Sequence, residues 1–149
     1  PARTELPVAV TVRIERVHHV HLTGPPGCEA QARWFYGELL GLRELPKPPE
    51  LAERGGVWFL APNCEVHVGV EDPKLLVRSR RHVCFEVDDL DEARVILLSN
   101  GIAVQELPPQ PGVRRFFCRD PFGNQIEFVS SEDAARRAEA LGQAASLAE

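Results

Sequence analysis

Three histidines and one glutamate sit where strand alternation would gather them for metal chemistry. His19 lies in VHHVHLT (17–23), His67 in EVHVGV (65–70), His82 in HVCFEV (82–87) and Glu127 in QIEFV (125–129). Successive strand residues point to opposite faces. The apolar alternates Val20 and Leu22, Val66 and Val68, Val83 and Phe85, and Ile126 and Phe128 suit a packed face. His19, His67, His82 and Glu127 then share the other. Three imidazoles and a carboxylate make a reasonable coordination set for a divalent first-row metal, with room left for water or substrate. The plainer alternative is four polar residues on a solvated or satisfied strand face. His67 could instead contact a ligand group or the substrate.

Other side chains fall near that face. His21 shares it with His19 and is either a structural histidine or a proton shuttle, since imidazole titrates near neutral pH. Cys84 shares a face with His82. Arg114 and Arg115 alternate, as do Trp58 and Phe59, so one of each pair reaches the cavity side. Arg115 and Trp58 are the pocket candidates, the arginine for anion binding. His18 falls on the helix side and reads as structural. Glu127 can double as a general base, and with His67 it is the expected catalytic pair.

These positions require strands, and the chain supplies them in order. After VHHVHLT, Gly24-Pro25-Pro26-Gly27 stops the first strand. Ala32, Phe35, Tyr36, Leu39 and Leu40 then recur at helical spacing over 29–40, with Gly41 as the C-terminal stop. Strands are expected at 42–45, 56–60 and 65–70, with Pro46, Pro48 and Pro49 breaking the pattern between the first two. A charged connection (71–81) leads to a strand at 82–87. Asp88-Asp89 caps a helix to about 100, with Ala93, Ile96 and Leu97 as its buried stripe. A strand at 104–107 follows. The segment 112–129, GVRRFFCRDPFGNQIEFV, is a hairpin whose Asp120-Pro121-Phe122-Gly123-Asn124 is turn chemistry. Ser131 caps a last helix to about 147, with a thin stripe of Ala135, Ala138, Leu141 and Ala145.

The order strand, helix, three strands occurs twice. His19-Val20-His21-Leu22 matches His82-Val83-Cys84-Phe85 at an offset of 63 (82 − 19), and 64–68 matches 124–128 at an offset of 60 (127 − 67). Gly56-Val57-Trp58-Phe59-Leu60 resembles Gly112-Val113-Arg114-Arg115-Phe116-Phe117. The expected fold is α+β: two tandem βαβββ modules forming curved mixed sheets around a metal-binding cavity, plus a C-terminal helix. Residues 1–15 are an extension, 16–130 one domain (module one 16–72, linker 73–80, module two 81–130) and 131–149 the terminal helix.

Bulk properties narrow the class. The chain has 149 residues, is 44% hydrophobic and 26% charged, and carries a net charge of −5, which suits a globular domain and argues against a nucleic-acid surface. No membrane span or signal peptide is expected. Cys28, Cys64, Cys84 and Cys118 form no CxxC pair; scattered thiols fit a cytoplasmic location.

The segments HHVHL (18–22), FYGELLGL (35–42), CEVHVGV (64–70), HVCFEVDDLDE (82–92) and, most specifically, RDPFGNQIEF (119–128) resemble the vicinal oxygen chelate superfamily, the glyoxalase/bleomycin resistance/dioxygenase group. The resemblance covers 16–129 and implies His19, His67, His82 and Glu127 as ligands of a divalent ion (Zn, Ni, Fe or Mn). It also implies a small-molecule substrate and a homodimer whose modules may combine across subunits. It suggests a glyoxalase-like lyase or isomerase, with an extradiol-type dioxygenase or a non-enzymatic drug-binding protein as alternatives. Histidine at 67, where a carboxylate is common, departs from the lactoylglutathione lyase pattern.

Overall fold

The computed structural model describes residues 16–72, 82–107 and 113–147. The expected extension 1–15, the linker 73–80 with Arg81, and Pro108–Pro109 lie outside the described residues, as do the side chains of Ala138, Leu141 and Ala145.

Two four-stranded mixed sheets share one topology. The first contains β1 (His19–Gly24), β2 (Arg43–Leu45), β3 (Val57–Leu60) and β4 (Glu65–Val70) in the order β1-β4-β3-β2. The second contains β5 (His82–Val87), β6 (Val104–Glu106), β7 (Arg115–Arg119) and β8 (Gln125–Ser130) in the order β5-β8-β7-β6. In each sheet the first and last strands run parallel and the other pairs antiparallel. The parallel pairs need a long crossover, and the intervening helix and strands supply it. The two expected βαβββ modules are therefore present, and the sheets are not closed into a barrel.

The helix of the first module is two structures in series. α1 (Glu29–Ala32) runs into a π-helical stretch, Arg33–Leu39. Regular α-helical spacing does not predict the wider turn, although the expected stripe residues Phe35 and Tyr36 are both fully buried. Gly41 follows with a φ of 70°, as a helix stop requires. The prolines after β2 do more than interrupt: Pro49 starts a one-turn helix, α2 (Pro49–Ala52), at the position where a missing N–H costs nothing.

α3 (Leu90–Ser99) is capped by Asp89, whose side chain accepts the Glu92 N–H. Its buried face keeps Leu97 and the partly buried Ala93 of the expected stripe and corrects Ile96. Leu90 and Leu97 are buried, whereas Ile96, with Val95 and Leu98, is exposed. α4 (Ser131–Leu147) begins directly at the end of β8. Ala135 is exposed rather than part of an apolar stripe, and the helix is anchored by Asp133. That buried carboxylate accepts the Arg114 N–H at 2.9 Å and the Arg114 Nε at 3.1 Å, and pairs with Arg136.

One core runs through both modules. Phe35, Tyr36, Phe59, Val66 and Val68 meet Phe116, Ile126 and Phe128 in a single cluster. Fully burying side chains of this size contributes about 1.5–3 kcal/mol each. The turn between β7 and β8 locks the halves together. Asp120, only 4% exposed, accepts from Tyr36 Oη at 2.7 Å and from the N–H groups of Phe122 and Asn124 at 2.9 and 2.8 Å. Asn124 Nδ2 donates to Asp120 Oδ2 and to the Thr23 carbonyl, both at 2.7 Å. A Cβ on Gly24 would stand 2.9 Å from Cys28 Cβ and 3.1 Å from the Phe122 ring, so only glycine fits this junction. Burial raises the Asp120 carboxyl above its usual range against the pull of these donors.

Candidate functional site

Strand register places the predicted residues. His21 pairs with His67 across β1 and β4, and Cys84 pairs with Glu127 across β5 and β8. These are equivalent positions of the two modules. The antiparallel partner of His67 on β3 is Trp58, and that of Glu127 on β7 is Phe117. Each donor on the last strand of its module therefore has an aromatic residue beside it. This register corrects the sequence match of GVWFL with GVRRFF. Trp58 corresponds to Phe117, and Arg115 stands where module one has Gly56. The adjacent arginines had masked this shift of register.

In module one His67 is the centre. It is 6% exposed because its ring lies in a stack. Trp58 covers one side at 4.0 Å and 3°, and His19 stacks on it at 4.3 Å and 11°. Its Nε2 meets Glu65 Oε2 at 2.7 Å. Burial holds the His67 pKa below the usual imidazole value, outweighing Glu65, which acts the other way. Glu65 in turn is lowered by its hydrogen bond to His67. His67 is therefore a neutral imidazole near pH 7, held in a fixed plane by Glu65. Glu65 was not among the predicted site residues, although its position two before His67 puts it on the same strand face. His21 is edge-on to His67 at 6.4 Å and lies over Gly69. A Cβ there would be 2.6 Å from His21 Nε2. A glycine inside a strand is the sequence signal for such a close approach. His18 corrects its expected helix-side placement: it is exposed before β1, with its Nδ1 2.9 Å from that of His19.

In module two Glu127 is the centre, also 6% exposed. Its Oε2 is 2.8 Å from His82 Nε2, and its Oε1 accepts from Arg115 Nη1 at 3.0 Å. Arg115 lies over Phe117 at 5.9 Å, and its Nε is buried without a hydrogen-bond partner. Arg114 points away to Asp133, and Phe59 is fully buried in the core, so Arg115 and Trp58 are the members of their pairs beside the donors. Burial, with Glu127 and Glu86 adding, pushes the Cys84 thiol up to about 12. Cys84 keeps exposed surface, but it is a thiol and not a thiolate at neutral pH.

The structure thus brings together His19 with His67, and His82 with Glu127. Among the described residues, no three His, Cys, Asp or Glu side chains of one chain converge in a way that could hold a metal ion.

Residues 29–128 match the model of the Glyoxalase/Bleomycin resistance protein/Dioxygenase superfamily. A glyoxalase-family protein from Bacillus anthracis is 43% identical, with a TM-score of 0.73 over 81% of this chain and 98% of that one. Two solved structures at 22% identity share the fold. One is TnmS3, an antibiotic-binding protein from Streptomyces sp. CB03234, with a TM-score of 0.64 over 80% of this chain and 98% of that one. The other is a lactoylglutathione lyase from Agrobacterium tumefaciens, with a TM-score of 0.60 over 80% and 96%. No curated protein matches. Among the described residues, no helix is long and apolar enough to cross a membrane.

Proposed function

Since the chain belongs to the glyoxalase/bleomycin resistance protein/dioxygenase superfamily, we propose that it is a metal-dependent enzyme of glyoxalase type, a lyase or isomerase of small oxygenated substrates. The observation that carries this reading is the matched pair of donor sets. His19 with His67, and His82 with Glu127, occupy equivalent strands of two sheets with one topology.

The chemistry of the set suits a divalent first-row ion: three imidazoles and a carboxylate, with burial holding the His67 pKa below the usual imidazole value. Two donors from each module complete the set when module one of one copy meets module two of another, so the working form is a homodimer. His19, His67, His82 and Glu127 would hold the ion. When bound, it supplies stabilisation of negative charge on neighbouring substrate oxygens. The protein supplies the rest. Glu127, held at Oε1 by Arg115 Nη1, would accept the substrate proton at Oε2 once that oxygen gives up its contact with His82 Nε2 and with the ion, and Trp58 stacks on the His67 ring that Glu65 holds. The thiol of Cys84, with its high pKa, is a lining group and not a nucleophile.

Metal analysis of protein purified without chelator, followed by turnover of hemithioacetals and α-hydroxycarbonyls, tests this. Glu127→Ala and His82→Ala should abolish turnover; wild-type rates in both would remove the proposal. A second reading is supported by the flat Trp58–His67–His19 stack, which suits a planar ligand held without reaction. Tight binding of planar aromatics by protein that never turns over any of these substrates would favour it.

A further inference from the structure

Arg115 sits against the acid that the proposed site needs most. It stands where module one has a glycine, Gly56, so nothing in the duplicated fold requires a side chain there. Its guanidinium takes Glu127 Oε1 at 3.0 Å, and His82 takes Oε2 at 2.8 Å. Both oxygens of the carboxylate are therefore engaged, and one partner is a permanent cation. The guanidinium is poorly satisfied in return, because its buried Nε has no partner. A residue kept for stability alone would be expected to use that donor.

We propose that Arg115 is a positioning residue that tunes the metal site: it ties up Glu127 Oε1, so that Oε2, shared with His82 here, is the oxygen left to coordinate, and its charge holds down affinity for a divalent cation. The inference rests on the metal-site reading above. A carboxylate that grips a cation with both oxygens and no competing charge binds it tightly and neutralises it. One whose second oxygen belongs to an arginine leaves more positive charge on the ion, hence a stronger pull on substrate oxygens and easier exchange. Unit charges a few ångströms apart interact strongly enough, even near a solvated surface, to change a binding constant by about tenfold or more.

Zinc affinity, measured by competition with a chromophoric chelator, reads this directly and needs no substrate. Arg115→Gln should bind Zn²⁺ at least about tenfold tighter than wild type, and Arg115→Lys, which keeps the charge, should stay within about threefold of wild type. A structural role would produce the opposite sign, because a loosened site binds metal less well. Arg115→Met, which keeps the aliphatic stem, repeats the test if the glutamine variant does not fold. Equal or weaker zinc binding in the neutral variants, with Glu127→Gln still weakening it, overturns the inference while leaving the metal site standing. If Glu127→Gln and His82→Ala leave zinc affinity unchanged, the metal-site reading fails and the tuning role falls with it.

Discussion

Tyr36→Phe removes one hydroxyl from the junction between the modules and leaves the ring in place. The hydroxyl is fully buried and donates to Asp120 Oδ2 at 2.7 Å. A hydrogen bond to a charged group contributes about 1.5–3 kcal/mol. Asp120 keeps three other donors, from Phe122 N and from the backbone and side chain of Asn124, so the expected loss is about 2 kcal/mol. In a domain of this length each kcal/mol lowers Tm by roughly 2–4 °C, giving a fall of about 4–8 °C. Asp120→Ala is harsher. It strands several neutral buried donors in the joint, at a cost of about 1–3 kcal/mol for each left unpaired. The two changes share one bond, so the double variant should cost less than the sum of the singles by more than about 0.5 kcal/mol. Urea unfolding at constant m-value measures all three. A Tyr36→Phe loss below about 0.5 kcal/mol, or strict additivity with Asp120→Ala, would refute the claim that this bond couples the halves.

Gly69→Ala should move His21, because a Cβ there lies 2.6 Å from the free end of that imidazole, while stability changes by less than about 1 kcal/mol since the ring can rotate away. A shift of the His21 ring resonances in NMR with an unchanged urea midpoint is the expected result. Gly56→Ala should cost about 3 kcal/mol or more, because its φ is +86° and the Cβ would meet the Val68 carbonyl oxygen at 2.3 Å. Asp120 and Asp133 should tilt stability in opposite directions with pH. The Asp120 carboxyl is raised from 3.8, so its contribution is present below that value and is lost as pH climbs through the folded one. Asp133 is lowered, chiefly by the Arg114 N–H, so its contribution is present above 3.8 and is lost as pH falls through the folded value. Asp120→Asn and Asp133→Asn should each flatten the corresponding slope in unfolding curves collected from pH 3 to 6. Cys84 should resist alkylation at pH 8, because its thiol titrates near 12; Glu127→Gln should raise the rate by withdrawing one of the charges that hold the proton.

The strands and the duplication were legible because alternation is a local signal. The β4 and β5 ranges read from it match the structure, and the two modules follow from their order. The π-helical stretch was not legible, since Phe35 and Tyr36 also fit an α-helical stripe. Nor was the buried face of α3. Val95, Ile96, Leu97 and Leu98 are consecutive and apolar, so periodicity cannot say that Leu97 alone of the four turns inward. Around the candidate site, alternation put Trp58 and Arg115 among the residues beside the donors. It could not show that Glu65 would turn to His67 or that Arg115 would turn to Glu127, because such contacts depend on side-chain rotation and not on strand parity. The equivalence of Trp58 with Phe117 needed the hydrogen-bonded register, since two arginines in a row imitate an aligned pair.

The turn around Asp120 has a broader consequence. Asp120 and Asn124 stitch one half of the molecule to the other through Tyr36 and the Thr23 carbonyl. The most recognisable signature in the chain is thus a mason's joint. A joint of this kind fixes how the two walls meet without itself supplying any of the proposed ligands.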